Sequence, residues 1–257
     1  MEECRKFTPD DFQIDTMDVA QTSKSRLRLA KYLNSATAPI KNNTVKNKLK
    51  EDIVLMKSVM MHKVMDGLIN SEHLANEKKY LWELTCAGVP HINKLFGTVR
   101  SAEEIFFVLE LLPGATLDKH FRTNPFTEER TKHYTAELVT IISNLHERGF
   151  IYRDLKAPNV ILSGGRIKLC DFGFINKVNA DGRCFSLCGT PHALAPEVSL
   201  QNKEKTGSGY TNTVDWFALG VLVYEMLTQE APFGLKKNSS EIFGRTARCE
   251  RKFRLYD

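Results

Sequence analysis

The chain of 257 residues is 42% hydrophobic and 26% charged, which excludes a disordered chain and a fibrous protein. Its formal net charge of +5 comes from scattered lysines and arginines rather than from one basic tract, so we expect no nucleic-acid partner. No apolar run approaches the roughly 20 residues of a membrane-spanning helix, so we expect no membrane partner. Six cysteines without a CxxC pair predict reduced thiols and a cytoplasmic location.

The first third of the chain contains a polar stretch, a strand and a helix. Residues 34–52 are rich in asparagine and lysine, which predicts a surface loop. The apolar run IVLMKSV at residues 53–59 predicts a buried strand. A helix is predicted from Ser71, a suitable N-cap, with three leucines on one face. Glu77 falls in the same stripe, so we expect its carboxylate to face the core beside a cation.

Apolar runs and turn residues indicate the later elements. EIFFVLELL at residues 104–112 predicts a strand, and the PGAT that follows it predicts a turn or hinge. A long helix is predicted between Thr127 and Gly149, because apolar residues repeat there at helical spacing. VIL and IKLC, joined by SGGR, predict a β-hairpin at residues 160–170. VDWFALGVLVYEML, residues 214–227, is apolar on nearly every face and predicts a buried helix.

The segment FIYRDLKAPNVIL places Asp154, Lys156 and Asn159 close together in one predicted loop. Phosphoryl transfer needs a group that orients the attacking hydroxyl, cations for the phosphates and oxygen ligands for magnesium. Asp154 could orient the hydroxyl, Lys156 could bind the phosphate, and Asn159 could bind magnesium. The motif DFG after the predicted hairpin adds a second oxygen ligand, Asp171, and APE follows at residues 195–197. The pattern therefore points to phosphoryl-transfer chemistry.

These motifs, in this order and at this spacing, resemble the eukaryotic protein kinases. LCGTPHALAPE and VDWFALGVLVYEM are similar to the AGC group, and within it to the catalytic subunits of cAMP-dependent protein kinases. The resemblance implies an α+β, bilobal protein-kinase fold, with a small antiparallel β-sheet lobe at residues 1–111 and a larger, mainly helical lobe at residues 112–257. It implies transfer of the ATP γ-phosphate to serine or threonine hydroxyls of a protein substrate, with ATP and Mg as cofactors.

The resemblance also implies a role for each matching residue. It makes Asp154 and Lys156 the catalytic residues, and Asn159 and Asp171 the magnesium ligands. The residues that it implies for nucleotide binding also include Lys57, Glu77, Glu110, Leu27 and Leu55.

A regulatory site is implied in the segment RCFSLCGT. Ser186 matches the activation-loop phosphorylation site of the family, and Arg153 and His73 match two of the cationic groups that contact its phosphate. The sequence contains no recognisable cyclic-nucleotide-binding domain, so any such control would come from a separate regulatory subunit.

The segment VAQTSKSRLRLAK differs from the family pattern. Ala20, Thr22 and Ser25 stand where the family has three glycines, so we expect weaker and more mobile phosphate contact. Leu27 and Leu55 are larger than the residues they replace, and they crowd a flat ligand at a cost of roughly 1–3 kcal/mol if the walls cannot move. Two alternatives therefore stay open: a pseudokinase that acts as a binding or scaffold module, and a truncated, non-functional fragment.

Two further departures concern the second half of the chain. The large lobe of the family continues through more helices, so we expect the C-terminal lobe to be incomplete and Glu197 to lack its usual arginine partner. Of four acidic positions that read basic residues in substrates of the family, only Glu225 is acidic here. Thr116, Pro158 and His192 occupy the others, so the preference of the family for basic substrates is not carried over.

Overall fold

The computed structural model describes residues 3–22, 24–33, 53–200, 209–234 and 239–247. The predicted surface loop at residues 34–52 lies outside the described residues. The chain divides into two compact units, Met1–Leu112 and Pro113–Asp257, which we call the first and the second unit. Among the described helices, none combines the length and the apolar character needed to cross a membrane.

The first unit is built on a six-stranded sheet. Its strands are β1 (Lys6–Phe7), β2 (Phe12–Gln21), β3 (Arg26–Tyr32), β4 (Ile53–Met60), β5 (Leu95–Arg100) and β6 (Glu104–Leu109). They lie in the order β1-β5-β6-β4-β3-β2, and all neighbours are antiparallel except β1 and β5. The two strands predicted from IVLMKSV and EIFFVLELL are β4 and β6, and both predictions are confirmed.

Alternation along the strands gives this sheet two different faces. One face carries a core cluster that includes Ala30, Tyr32, Val54 and Met56, with aromatic residues from β1 and β2 packed against it. The neighbours of these residues in sequence therefore point to the opposite face. That second face carries Lys57, Leu27 and Leu55, three of the residues for which nucleotide binding is predicted.

The described part of the first unit also contains two helices, α1 (Met61–Met65) and α2 (Ser71–Cys86). The predicted helix is confirmed, but its predicted cap is wrong by one residue. Asn70 has extended backbone angles, and its side chain accepts hydrogen bonds from the backbone N–H groups of Glu72 and His73. Ser71 is already the first helical residue. An N-cap needs extended backbone angles, so Asn70, the last extended residue before the helix, is the cap.

The second unit is mainly helical. Its helices are α3 (Leu117–Thr123), α4 (Glu128–Glu147), α5 (Pro196–Leu200), α6 (Thr213–Thr228) and α7 (Ser239–Ala247). The two long helices predicted from apolar spacing are α4 and α6, which pack against each other, and both predictions are confirmed. Thr127 caps α4 through its hydroxyl, and Gly149 follows the helix with φ of 76°. The predicted apolar stripe of α4 is buried.

Short strands position the loops of the second unit. They are β7 (Ala115–Thr116), β8 (Phe150–Ile151), β9 (Val160–Ser163), β10 (Arg166–Leu169) and β11 (Asn176–Lys177). The predicted hairpin is confirmed as the antiparallel pair of β9 and β10. The prediction of a turn or hinge at PGAT holds for Pro113 and Gly114 and is wrong for Ala115 and Thr116, which pair with β9. Gly114 makes this approach possible, since an added Cβ would lie 2.1 Å from the carbonyl oxygen of Leu162.

Candidate functional site

In the first unit, a buried ion pair connects the sheet to helix α2. The Nζ atom of Lys57 on β4 lies 2.6 Å from Oε1 of Glu77, and only 12% and 5% of the two side chains are exposed. Glu77 faces inward because it shares the buried stripe of α2 with Leu81 and Leu84. The cation that the sequence analysis expects beside Glu77 is thus Lys57. The charge of Lys57 is held in one place on the second face of the sheet.

Three half-buried leucines lie on the same face as Lys57. Leu27 on β3 is directly opposite Lys57 on β4, and Leu29 is opposite Leu55. Leu55 also pairs with Leu109 on β6. The surface beside Lys57 is therefore apolar, and Leu29 belongs to it although sequence reasoning did not single it out.

The turn between β2 and β3 is closed by its own side chains. The backbone N–H of Thr22 donates to the carbonyl oxygen of Ser25 at 2.9 Å. The hydroxyl of Thr22 accepts hydrogen bonds from the backbone N–H groups of Lys24 and Ser25, at 3.2 and 3.0 Å. These two N–H groups are of the kind that a glycine-rich turn offers to a phosphate. Here the threonine occupies them.

Two other residues of the first unit for which a role is predicted are Glu110 and His73. Glu110 directly follows β6, is 5% exposed, and donates its backbone N–H to Lys94. His73 lies in the first turn of α2 and is half-buried, with its backbone N–H bound by the Asn70 cap.

In the second unit, the loop between β8 and β9 forms a hydrogen-bonded network around Asp154. The amide nitrogen of Asn159 donates to Oδ2 and to the backbone carbonyl of Asp154, each at 2.9 Å. Lys156 places its Nζ atom 2.8 Å from Oδ2, and the hydroxyl of Thr190 donates to Oδ1 at 2.5 Å. Asp154 is 4% exposed, so its carboxylate is fixed by donors on both oxygens.

Thr190 is the residue of this network that sequence reasoning missed. Besides donating to Asp154, its hydroxyl accepts a hydrogen bond from Lys156 Nζ at 2.7 Å. The signal was present in the quoted motif LCGTPHALAPE, in which Thr190 follows a glycine. Gly189 has φ of 110°, and an added Cβ would lie 2.7 Å from the carbonyl oxygen of Arg153. The glycine lets the segment that carries Thr190 approach the loop.

The two predicted metal ligands lie at the same end of the β9–β10 hairpin. Asn159 directly precedes β9, Asp171 follows β10 by two residues, and the N–H of Cys170 donates to the carbonyl oxygen of Asn159 at 2.9 Å. Because the Asn159 amide nitrogen binds Asp154, its Oδ1 is the atom that it can offer to a cation. One amide oxygen and one exposed carboxylate suit Mg²⁺, which keeps water and substrate phosphates as its other ligands.

Asp215 of helix α6 fixes the backbone of the loop. Its carboxylate accepts hydrogen bonds from the N–H groups of Tyr152 and Arg153, at 2.9 and 2.8 Å, and lies 2.8 Å from His146 Nε2. Arg153 and Asp171 both have positive φ, 70° and 55°. Non-glycine residues adopt this conformation rarely, at a cost of order 1–3 kcal/mol each, and at Arg153 the hydrogen bond to Asp215 helps to offset this cost.

The side chain of Arg153 meets the predicted phosphorylation site. Its Nη1 atom donates to the hydroxyls of Ser186 and Tyr210, at 2.7 and 3.0 Å, and its Nε donates to the carbonyl of Phe174 at 2.6 Å. Its Nη2 is buried and has no hydrogen-bond partner among the described residues. Ser186 itself is exposed. A group added to this hydroxyl is therefore accessible from outside and close to a guanidinium with spare donor capacity.

Tyr210 is a second residue that sequence reasoning missed, and no motif identified it. Its hydroxyl donates to the backbone carbonyl of Ser186 at 2.6 Å. Burial raises the pKa of Tyr210 to about 12, so the hydroxyl keeps its proton at physiological pH.

Glu197 of the APE motif is half-buried, and its carboxylate accepts a long hydrogen bond from the Thr213 hydroxyl at 3.5 Å. We expected Glu197 to lack a partner.

Comparison with known proteins gives a consistent result. A family model described as protein kinase domain matches residues 41–255. A "cAMP-dependent protein kinase, catalytic subunit-like" protein of Caenorhabditis elegans is 34% identical over 200 residues, which cover 77% of this chain and 47% of the relative. "Protein kinase 2" of Dictyostelium discoideum is 35% identical over 214 residues, or 82% of this chain and 42% of the relative.

Shorter matches reach higher identity. The serine/threonine-protein kinase YPK1 of Saccharomyces cerevisiae is 40% identical over 164 residues, which cover 63% of this chain and 23% of the relative. The chain spans about half the length of the first curated relatives that it matches.

Proposed function

The chain belongs to the protein kinase family, and we propose that it transfers the γ-phosphoryl group of ATP to serine or threonine hydroxyls of proteins. The observation that carries the proposal is the network around Asp154, in which both carboxylate oxygens are held by donors. A carboxylate fixed in this way can accept the proton of a substrate hydroxyl from a defined direction. We take residues 1–111 and 112–257 as the two functional lobes.

Each unit would supply its own charged groups. In the first unit, Lys57 would bind phosphate oxygens, and Glu77 would hold Lys57 in place. In the second unit, Lys156 would neutralise charge that develops on the transferred group, and Asn159 with Asp171 would hold Mg²⁺. The kinase family generally uses ATP with Mg²⁺, which neutralises phosphate charge when bound. Leu27, Leu55 and Glu110 would contact the nucleotide.

Regulation and cellular context are part of the same proposal. We propose that phosphorylation of Ser186 engages Arg153 and His73, and that any control by a cyclic nucleotide comes from a separate regulatory subunit. The relative from C. elegans is named as a catalytic-subunit-like protein, which supports the second point. Among the described residues, Cys4, Cys184 and Cys188 are buried thiols outside any disulfide, which supports the cytoplasmic location that we propose.

Two observations favour a second candidate, a pseudokinase that acts as a binding or scaffold module. The hydroxyl of Thr22 occupies the backbone donors of Lys24 and Ser25, so this turn has fewer groups to offer to a phosphate. Leucine side chains also fill the face that carries Lys57. Both features would weaken nucleotide binding without affecting the fold.

Thermal unfolding with Mg-ATP separates the two candidates. At a nucleotide concentration a hundredfold above Kd, binding should stabilise the fold by about 2.7 kcal/mol. This corresponds to a rise of roughly 2–4 °C in Tm for a protein of this size. Lys57→Met should lower the shift, whereas Lys79→Met on the exposed side of α2 should keep it. A folded protein whose Tm does not change with millimolar Mg-ATP would favour the scaffold.

A further inference from the structure

The segment before β1 passes close to the start of β5 in the first unit. β1 runs parallel to β5, and its Lys6 pairs with Thr98. The backbone N–H of Thr98 donates to the carbonyl oxygen of Arg5 at 2.8 Å, so the parallel register continues before the strand begins. Two residues before Lys6, this register brings Cys4 level with Phe96, the second residue of β5.

The end of helix α2 lies at the same place. The hydroxyl of Thr85 accepts a hydrogen bond at 3.0 Å from the backbone N–H of Leu95, the first residue of β5. Cys86 directly follows Thr85 and is the last residue of the helix. Cys4 and the last turn of α2 therefore both adjoin the first two residues of β5.

The thiol of Cys4 lies on the face of the sheet that α2 covers. Thr98, Phe107 and Lys57 pair with one another across β5, β6 and β4, so their side chains share one face. Lys57 meets Glu77 of α2 on this face. The thiol of Cys4 is hydrogen-bonded to the side chain of Thr98, and Cys4 is only 9% exposed.

Helical spacing brings Lys78 and Cys86 to one side of α2. The two residues are eight positions apart, with Trp82 midway between them, so they lie on successive turns of the same side. Both act electrostatically on the thiol of Cys4. This side of the helix therefore faces the segment before β1. Cys86 is exposed whereas Cys4 is buried, so two thiols with different access to solvent share one corner of the first unit.

We propose that Cys4 and Cys86 form a peroxide-sensitive thiol pair, whose oxidation joins the segment before β1 to helix α2 by a disulfide. The thiolate of Cys86 attacks one oxygen of hydrogen peroxide, the O–O bond breaks, and the products are a sulfenic acid and hydroxide. The thiolate of Cys4 then attacks the sulfenic sulfur, which forms the S–S bond and releases a second hydroxide. The two protons lost by the thiols convert both hydroxides to water, and the peroxide gains the two electrons that the sulfurs lose.

The surroundings of the two thiols set this order. Burial raises the pKa of Cys4 to about 11, so little of its thiolate is available to react with peroxide directly. The charge of Lys78 acts against this effect and favours the thiolate of Cys4 once a sulfenic acid stands beside it. Thiol reductants reverse such a disulfide in a reducing compartment. Because α2 carries Glu77, the disulfide also ties down the helix that holds Lys57.

Peptide mapping of the folded protein after treatment with hydrogen peroxide tests the pair without any kinase activity. We expect one main disulfide, which joins the peptides of Cys4 and Cys86, forms at a rate independent of protein concentration and disappears with dithiothreitol. The same treatment in denaturing urea should distribute disulfides among the six cysteines, because the folded arrangement is lost. A folded protein whose main product is another disulfide, or which forms none, would overturn the proposal.

Variants test the order of the two steps. Dimedone traps a sulfenic acid, so Cys4→Ser should carry at least about tenfold more dimedone on Cys86 than the parent does. Cys170→Ser, a half-buried thiol of the second unit, should form the disulfide as the parent does. Equal labelling of Cys86 in the parent and in Cys4→Ser, or loss of the disulfide in Cys170→Ser, would contradict the pair. The mapping of the parent decides the question even if Cys4→Ser does not fold.

Discussion

Arg153 connects several loops of the second unit through one side chain. Its backbone N–H is held by Asp215, its Nε binds the carbonyl of Phe174, and its Nη1 binds Ser186 and Tyr210. Burial of a guanidinium is costly unless its donors are used, and Nη2 is the donor without a partner among the described residues. Nη2 can therefore donate a hydrogen bond to one more anionic oxygen.

Phosphorylation of Ser186 should stabilise the folded protein through this donor. Charge-assisted hydrogen bonds contribute about 1.5–3 kcal/mol each, so we expect the phosphorylated protein to have a free energy of unfolding higher by about that amount. Urea denaturation of the protein with phosphoserine incorporated at position 186, before and after phosphatase treatment, measures the difference. In Arg153→Met the difference should vanish. Equal stability of the two forms of the parent would show that Arg153 does not bind the phosphate.

At the scale of single elements, the start of helix α2 depends on which of two adjacent residues is the N-cap. Asn70 and Ser71 are adjacent, and both residue types are good N-caps. The backbone of Asn70 is extended, with φ of −68° and ψ of 118°, and its side chain satisfies two N–H groups of the first turn. The position of α2 matters because the helix carries Glu77 to Lys57.

Replacement of the two residues in turn tests this boundary. Asn70→Ala should lower the free energy of unfolding by about 1 kcal/mol, since it leaves the N–H groups of Glu72 and His73 without their acceptor. Ser71→Ala should change it by less than about 0.5 kcal/mol, because Ser71 is exposed and makes no capping contact. Chemical denaturation measures both. A larger loss in Ser71→Ala would restore the cap predicted from the sequence.

Elements whose signal is local could be predicted from the sequence. Helices α4 and α6 each show their apolar spacing within one continuous segment, and the β9–β10 turn shows its glycines in the same way. The charged residues of the Asp154 loop also lie within one motif. Contacts between distant segments could not be predicted in this way. Thr190 meets Asp154 across 36 positions and Tyr210 meets Arg153 across 57, so neither contact leaves a periodic pattern in the chain.

At the scale of the whole molecule, both units keep charged groups suited to phosphoryl transfer. The first unit has the Lys57–Glu77 pair, and the second unit has the network of Asp154, Lys156 and Asn159. The turn of the β2–β3 hairpin departs from the family pattern, because the hydroxyl of Thr22 accepts hydrogen bonds from the N–H groups of Lys24 and Ser25. If the proposed function holds, a fixed carboxylate matters more to the reaction than a glycine-rich turn.

Transfer of the labelled γ-phosphoryl group from Mg-ATP to serine peptides tests the proposed kinase function and the role of Asp154 most directly. The parent is compared with Asp154→Asn, which keeps the shape of the side chain, and with Asp181→Asn, whose carboxylate is exposed. We expect the parent and Asp181→Asn to transfer at equal rates, and Asp154→Asn to lose at least about a hundredfold, the lower range for removal of a general base. Transfer by Asp154→Asn at the rate of the parent would contradict the role of Asp154, and a folded parent that transfers nothing would contradict the proposed function.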